Sequence, residues 1–467
     1  MYLITTCASC AAPLEQTGTG VRVKQCSRCK TRYCSASCQR DHWKKRGGGH
    51  KTTCEKIASD GGAEKSYAMK KYLDGLEDAL KACNSEEVKR AMCDADDRDD
   101  HSTLSTLTCY ICKSRTDEGF VRGCACRGTE GFVHFTCLIR QARNAVKNKR
   151  ESREAMWTRW HTCQQCGQQF HGVVRHALGW SCWVTYRELS EGDERRCRAL
   201  DELGHGLFAV GRYEDALAAS TAAAKGWQAV PKERNGGRQE YVSQSLVAMC
   251  CSKLGRRVRS VISPNSPNTT MSGHELMRDA INSANCFGRI LRLPQMTDGR
   301  LESILSLRFA TCLLEDNFVA EAFKHLIVAI PKAKRVLGED HAIVIELGWR
   351  FAQTNYLTHF FGHAGFRSDL IFSIEGHVTI LKRSSRVLGN HHPTTRAIAA
   401  SLKLCFDEQL DWTLDGDIRN WLYVRRVLDG DFPPDRADFP FLSDYDPNDL
   451  TLDMMRQKAL LERLNIL

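Results

Sequence analysis

Fourteen of the chain's 23 cysteines fall in two short blocks, seven between residues 7 and 54 and seven between 109 and 166, and each block is built from close pairs. The first block reads Cys7-x-x-Cys10, Cys26-x-x-Cys29, Cys34-x-x-x-Cys38 and His50-x-x-x-Cys54. The second reads Cys109-x-x-Cys112, Cys124-x-Cys126, His134-x-x-Cys137 and Cys163-x-x-Cys166. Two residues between thiolates allow one tight turn to present both sulfurs to an ion about 2.3 Å away, and three residues put a pair on one helical face. Eight such ligands suit two tetrahedral zinc ions per block, four in all. No secretion signal precedes them, so a disulfide framework is not expected and the remaining nine cysteines read as reduced thiols. Cys182 and Cys197 are among these, and buried thiols explain them better than catalytic dyads.

In the first block Tyr33-Cys34, Cys38-Gln39, His42-Trp43 and the terminal His-x-x-x-Cys resemble a MYND finger over residues 1–56. The resemblance implies interleaved binding, with Cys7, Cys10, Cys34 and Cys38 on one ion and Cys26, Cys29, His50 and Cys54 on the other. The insertion Arg46-Gly47-Gly48-Gly49 lengthens the approach to His50, and His42 is the competing ligand. MYND fingers bind proteins, commonly through short proline-containing peptides. A block this small cannot bury enough apolar surface, so metal supplies its folding energy. The alternative role is a prop for its neighbour.

The second block, over 109–170, has the ligand order of four cysteines, one histidine and three cysteines that RING-CH and PHD modules share. Seven residues separate Cys126 from His134, and the wording Cys126-Arg127-Gly128-Thr129, Phe132-Val133-His134 and Cys137-Leu138 resembles the RING-CH type. That resemblance implies one site from Cys109, Cys112, His134 and Cys137 and another from Cys124, Cys126, Cys163 and Cys166. It also implies a ubiquitin-conjugating enzyme as partner, docked on Ile111 and Leu138, with catalysis by proximity and no covalent nucleophile in this chain. For Leu138, packing around the metal is the competing role. Two departures stand out: Gln141 replaces a family tryptophan, and Gly167 replaces a basic residue after the last ligand. Trp157 and Trp160, in the 25-residue spacer before Cys163, are the candidates to substitute for the missing tryptophan.

Between the blocks, over 57–108, Tyr72, Leu73, Leu76, Leu80 and Cys83 recur at helical spacing and predict one amphipathic helix near 64–92. The acidic run Asp94 to Asp100 reads as a solvated linker. From about 195 the small and apolar residues Leu203, Gly204, Leu207, Gly211, Tyr213, Ala216, Leu217 and Ala223 resemble a tetratricopeptide repeat, as do Phe309, Ala310, Leu313, Asn317, Ala322, Phe323 and Ala329. The phrase from Val336 to His341 recurs 51 residues later from Val387 to His392, similar to the inter-repeat turn of the kinesin-light-chain variety. An ordinary helical domain is the alternative. Pro264 and Pro267 mark a loop in this 195–405 region; beyond it, over 406–467, Pro433, Pro434 and Pro440 break helix before a closing helix from Leu450 to Leu464.

The expected fold class is therefore two small α+β cross-braced zinc modules followed by an all-α tetratricopeptide-like helical repeat domain. At 467 residues the length suits about three domains. The formal charge of +10 invites a nucleic-acid reading, but fourteen zinc-bound thiolates with four dications lower it to near +4. Residues 1–56 do carry 11 Lys/Arg against 3 Asp/Glu, yet no groove-reading finger helix or base-stacking motif accompanies them, so nucleic acid is not an expected partner. Nor is a membrane span expected, and the compartment implied is cytoplasmic and/or nuclear. A SET-type methyltransferase signature is lacking too. The leading expectation is a RING-type ubiquitin-protein transferase that recruits peptide or protein substrates through the finger and the helices; the alternative is a non-enzymatic zinc-binding scaffold.

Overall fold

The computed structural model describes residues 7–10, 14, 23–45, 49–85, 88–89, 107–115, 119–147, 153–230, 238–255, 258–259, 270–278, 299–361, 367–390 and 392–412. Within them the chain is mostly helical. The acidic run, residues 46–48 of the insertion, Pro264, Pro267, Pro433, Pro434, Pro440 and the expected closing helix lie outside the described residues. Two compact units divide the chain, one of residues 1–124 and 128–250, the other of 251–467 together with Ala125–Arg127.

The first unit begins with a two-stranded antiparallel hairpin, β1 (Lys24–Gln25) and β2 (Arg32–Tyr33), followed by α1 (Ala36–Lys44) and α2 (His50–Ser59). Ser35 caps α1 by accepting from the Cys38 N–H, which fixes where the helix starts and hence where Cys38 points. α2 stops at Gly61 and Gly62, both at positive φ, and Ala63 then opens α3 (Ala63–Asn84) with its N–H on the Cys29 carbonyl at 2.8 Å. α3 is shorter than the sequence predicts. Ser85 leaves the helical region and its hydroxyl accepts from the Val88 N–H, so the chain is capped anew there. The buried stripe of α3 is small, with Ala68, Gly75, Ala79 and Cys83 on it, whereas Leu73 is exposed.

Small residues suit this face because α6 (Gly172–Tyr186) packs on it; a Cβ on Gly75 would already touch His176 and Ala177. α6 is buried nearly all round, as expected of a central helix. It approaches α7 (Glu194–Ala209) so closely that a Cβ on Gly179 would lie 2.8 Å from the Glu202 carbonyl oxygen, and one on Gly206 2.9 Å from that of Arg175. α8 (Tyr213–Ala229) packs back on α7 through Ala216, Ala219, Ala222 and Ala223. Between α3 and α6 in sequence lie α4 (Phe135–Lys147) and α5 (Arg153–Thr158), and α9 (Arg238–Leu254) closes the unit. Trp157, Trp160, Trp180, Trp183 and Trp227 form much of the shared core.

A short hairpin of β3 (Val258–Arg259) and β4 (Thr270–Met271) precedes the helices of the second unit: α10 (Gly299–Glu315), α11 (Val319–Leu337), α12 (Ala342–Phe361), α13 (Arg367–Leu388) and α14 (Pro393–Trp412). Each packs against the next, and α12 also touches α10 and α14. The turns recur. Gly211 between α7 and α8 and Asn317 between α10 and α11 both take positive φ, and the following N–H reaches back five residues, Arg212 to Leu207 at 3.0 Å and Phe318 to Leu313 at 2.7 Å. The phrase repeated at 51 residues has a common structure as well. Gly338 and Gly389 end their helices at positive φ, and the Nδ1 atoms of His341 and His392 each accept from the N–H two residues on, at 3.2 Å. Among the described residues no helix is long and apolar enough to cross a membrane.

Candidate metal centres

The sixteen paired ligands converge into four quartets: Cys7, Cys10, Cys34 and Cys38; Cys26, Cys29, His50 and Cys54; Cys109, Cys112, His134 and Cys137; and Cys124, Cys126, Cys163 and Cys166. In each, all ligand atoms lie within 4.8 Å of one another. A zinc tetrahedron with arms of about 2.3 Å has sulfur edges of about 3.8 Å. The observed edges approach that: Cys10 to Cys34 is 3.6 Å, Cys34 to Cys38 3.5 Å and Cys26 to Cys54 3.7 Å. His50 enters by Nε2, 3.2 Å from the Cys29 sulfur, and His134 by Nδ1, 3.4 Å from Cys112. In both blocks the first and third pairs alternate with the second and fourth, the interleaving that ties a small module together through its ions.

Three of the pairs ride on one backbone device. In the turns beginning at Cys26, Cys109 and Cys163, the cysteine N–H bonds to the carbonyl five residues on (Thr31, Ser114, Gln168), and the N–H of the fourth residue on bonds back to the cysteine carbonyl. That fourth residue takes positive φ in every case: Lys30 at 63°, Lys113 at 60° and Gly167 at 68°. The glycine that departs from the RING-CH pattern thus occupies the one left-handed position of its turn, where glycine costs least. His50 and Cys54 stand one helical turn apart on α2, and His134 lies against the stacked ring of Phe120, 4.9 Å between centroids.

The thiols alone divide sharply. Burial pushes Cys7 up, but the N–H groups of Cys10 and Cys34 outweigh it and bring the thiol down to about 6. Cys34, hydrogen-bonded by Cys38 and Cys10, is pushed up to about 12. In the third quartet the Ser114 hydroxyl brings Cys112 down to about 6, while burial and the charge of Cys109 push Cys137 up to about 12. Burial and the hydrogen bond to Cys26 push Cys54 up to about 12. Three or four thiolates at these separations repel too strongly to ionise together; a dication supplies the missing charge and favours the soft sulfur donors found here. The residues fit zinc.

The structure separates the alternatives the sequence left open, and two expectations are corrected: Leu138 as a docking residue and Trp157 or Trp160 as a substitute for the missing tryptophan. His42 stays outside the second quartet, its Nδ1 3.2 Å from the Tyr33 hydroxyl, and His50 takes the place. Leu138, on the buried face of α4, is 1% exposed and so cannot reach a partner. Trp157 and Trp160 are in the core with Tyr186 and cannot replace the tryptophan missing at Gln141. Ile111 is half-buried beside the exposed Cys112. Cys182 and Cys197 are buried, with thiols pushed up by burial, which suits packing and not nucleophilic chemistry.

Two features escaped sequence reasoning. α3 is a strut joining the blocks: its first residue bonds to Cys29, and its last turn holds the second block through Cys83 to the Arg122 N–H at 3.3 Å and Asn84 to the Phe120 N–H at 2.9 Å. In the helical core, Glu202 is buried in an ion pair with Arg175 at 2.6 Å and in a hydrogen bond with His161 Nδ1 at 2.9 Å. These partners lie up to 41 residues apart in sequence, beyond the reach of local pattern.

A zinc-binding finger of interleaved Cys and His pairs is the class this geometry defines for the N-terminal block. Residues 7–54 match the family model of the MYND finger. MYND fingers mediate protein–protein interaction. No curated protein and no solved structure matches the chain.

Proposed function

We propose that the protein is a zinc-ordered interaction scaffold holding four zinc ions, two per block, in which the MYND finger takes short proline-containing peptides and the helical hairpins, tetratricopeptide-like in their recurring turns, carry a second protein. The observation that carries this is Trp43. It is 43% exposed on α1, with its ring 5.8 Å from that of His50, so the metal-held helix pair presents a large apolar ring to solvent. Proline rings stack readily on such a surface. Selection of peptides on the full chain, with Trp43→Ala as comparison, tests it. The expected result is a proline-containing family of ligands whose affinity falls about tenfold or more in the variant, the scale for an interface tryptophan, with zinc content unchanged. Equal binding by both proteins overturns the assignment.

One observation favours a second reading, a RING-CH-type ubiquitin ligase. Ile111 is an aliphatic side chain in the first turn of the second block, half-buried and next to the exposed Cys112, a placement suited to the apolar groove of a conjugating enzyme. Buried Leu138, Gln141 and Gly167 weigh on the other side. If the ligase reading holds, the chain accelerates ubiquitin discharge by one of a panel of conjugating enzymes. Ile111→Ala then lowers affinity roughly five- to thirtyfold, on the order of 1–2 kcal/mol for a docking aliphatic, while zinc content stays at the wild-type value. No discharge across the panel leaves the scaffold reading alone.

A further inference from the structure

α4 segregates its side chains. Phe135, Cys137, Leu138 and Ala142 are buried, while Arg140, Arg143, Asn144 and Lys147 are exposed along the opposite side. Those four, with Thr136 and Ile139 of the same helix and Tyr72 of α3, line a groove of about 480 Å³. Among the described residues that line it, three are cations and none is a carboxylate. Of the acids that α3 carries beyond Tyr72, Asp74 pairs with Lys71 at 4.0 Å and Glu77 with Lys81 at 2.6 Å on the same helix. Residues 135–150 hold five Lys/Arg and no Asp or Glu, so the imbalance is visible in the sequence once this helix is known to be amphipathic.

The floor differs from the rim. Ile139 and Tyr72 are half-buried, packed against the core of the unit, and offer apolar surface between the charged heads. Arg140, Arg143 and Lys147 stand at helical offsets of three, four and seven, so their heads form one row about 10 Å long at 1.5 Å per residue. A row of like charges over an apolar floor repels itself, and a ligand with alternating carboxylates and an aliphatic side chain offsets both the charge and the exposed floor.

We propose that this groove binds an acidic, extended segment of a protein partner, with carboxylates on Arg140, Arg143 and Lys147 and an aliphatic side chain between Tyr72 and Ile139. The guanidinium groups take carboxylates in two-pronged pairs, and Asn144 can bond to the segment's backbone. This surface is separate from Trp43 and from Ile111, and it stands whichever reading of those residues holds.

The test uses the full zinc-loaded chain and a fluorescein-labelled peptide of glutamates and aspartates interrupted by leucines, followed by anisotropy. Arg140→Glu with Arg143→Glu is expected to weaken binding at least tenfold. Asn144→Trp, which fills the groove and keeps every charge, is expected to do the same. All are exposed positions, and circular dichroism checks that the helices remain. Three results overturn the proposal. The peptide's glutamine and asparagine analogue binds as well; Asn144→Trp leaves affinity unchanged, which reduces the effect to unspecific charge; or a single-stranded oligonucleotide of equal charge displaces the peptide and binds more tightly, which makes the groove a nucleic-acid site.

Discussion

On the proposal of one zinc ion per quartet, Cys29→Ser is expected to lower the zinc content from four ions per chain to two and to unfold the N-terminal finger while leaving the second block loaded. Cys29 is fully buried, its sulfur 3.2 Å from His50 Nε2 and 3.0 Å from the Thr31 hydroxyl. A serine hydroxyl does not ionise near neutral pH, so the quartet keeps three ligands and loses a charge. A structural zinc contributes on the order of 10–16 kcal/mol to the folding of a small finger, far more than this block's small core can replace. That core comprises little beyond Leu14, Tyr33 and the ligands themselves. Interleaving carries the loss to the first quartet as well, because Cys34 and Cys38 are positioned by β2 and α1, which pack against β1 and α2, the elements that carry the second quartet. The second block has its own two quartets and is held to α3 at the far end, through Cys83 and Asn84. Zinc released to a chromophoric chelator under native conditions measures the outcome. Retention of all four ions would show that Cys29 is not a ligand; loss of all four would show that the strut makes the blocks one cooperative unit.

How much of this could be read from the sequence depends on the range over which each feature is encoded. The candidate ligands were legible because tetrahedral geometry favours close pairs, here with one to three residues between partners, and all sixteen gather into four quartets. The helix pairs at 203–223 and 309–329 were legible for a similar reason, since their turns demand a residue tolerant of positive φ, Gly211 in one and Asn317 in the other. What failed was exposure. Leu138, Trp157 and Trp160 are apolar residues next to a recognised motif, and nothing local distinguishes a docking residue from a core residue there. The structure decides against docking because the spacer folds as α4 and α5 onto α6, which places both tryptophans beside Tyr186. Gly167 misled in another way. It reads as the absence of a basic group, whereas in the turn it meets a backbone requirement that Lys30 and Lys113 meet elsewhere with more strain. Leu73 fits the helical period of α3, yet the stripe that packs is the small one, because α6 comes too close for leucines.

The second large effect is expected inside the helical part of the first unit. Arg175→Met should destabilise the protein by about 3–5 kcal/mol at neutral pH, the usual cost of leaving a buried ion-pair partner uncompensated. Glu202 is 7% exposed, and Arg175 is equally enclosed, its guanidinium also donating to the Trp160 carbonyl at 3.3 Å. Burial pushes the Glu202 carboxyl up, but Arg175 and His161 outweigh it and hold the group well below the usual carboxylate range. The folded value lies below the unfolded one, so in the wild type this pair's stabilisation is present above the ordinary carboxylate pKa and is lost as pH falls through the folded value. Methionine fills most of the arginine's volume without its charge. With the Arg175 charge gone, burial of Glu202 is less fully opposed and its folded value moves up, so the variant's deficit is smallest in acid and grows as pH rises. Urea unfolding of wild type and variant in parallel, each pair at one pH, cancels the acid lability of the zinc centres that both share. Adding Glu202→Gln to Arg175→Met removes the buried charge and should recover most of the loss near neutrality, since a neutral amide in contact with His161 needs no counter-ion. A deficit that is the same at every pH, or one that Glu202→Gln fails to relieve, would mean that Arg175 matters for packing against Trp160 and not as the counter-charge of Glu202.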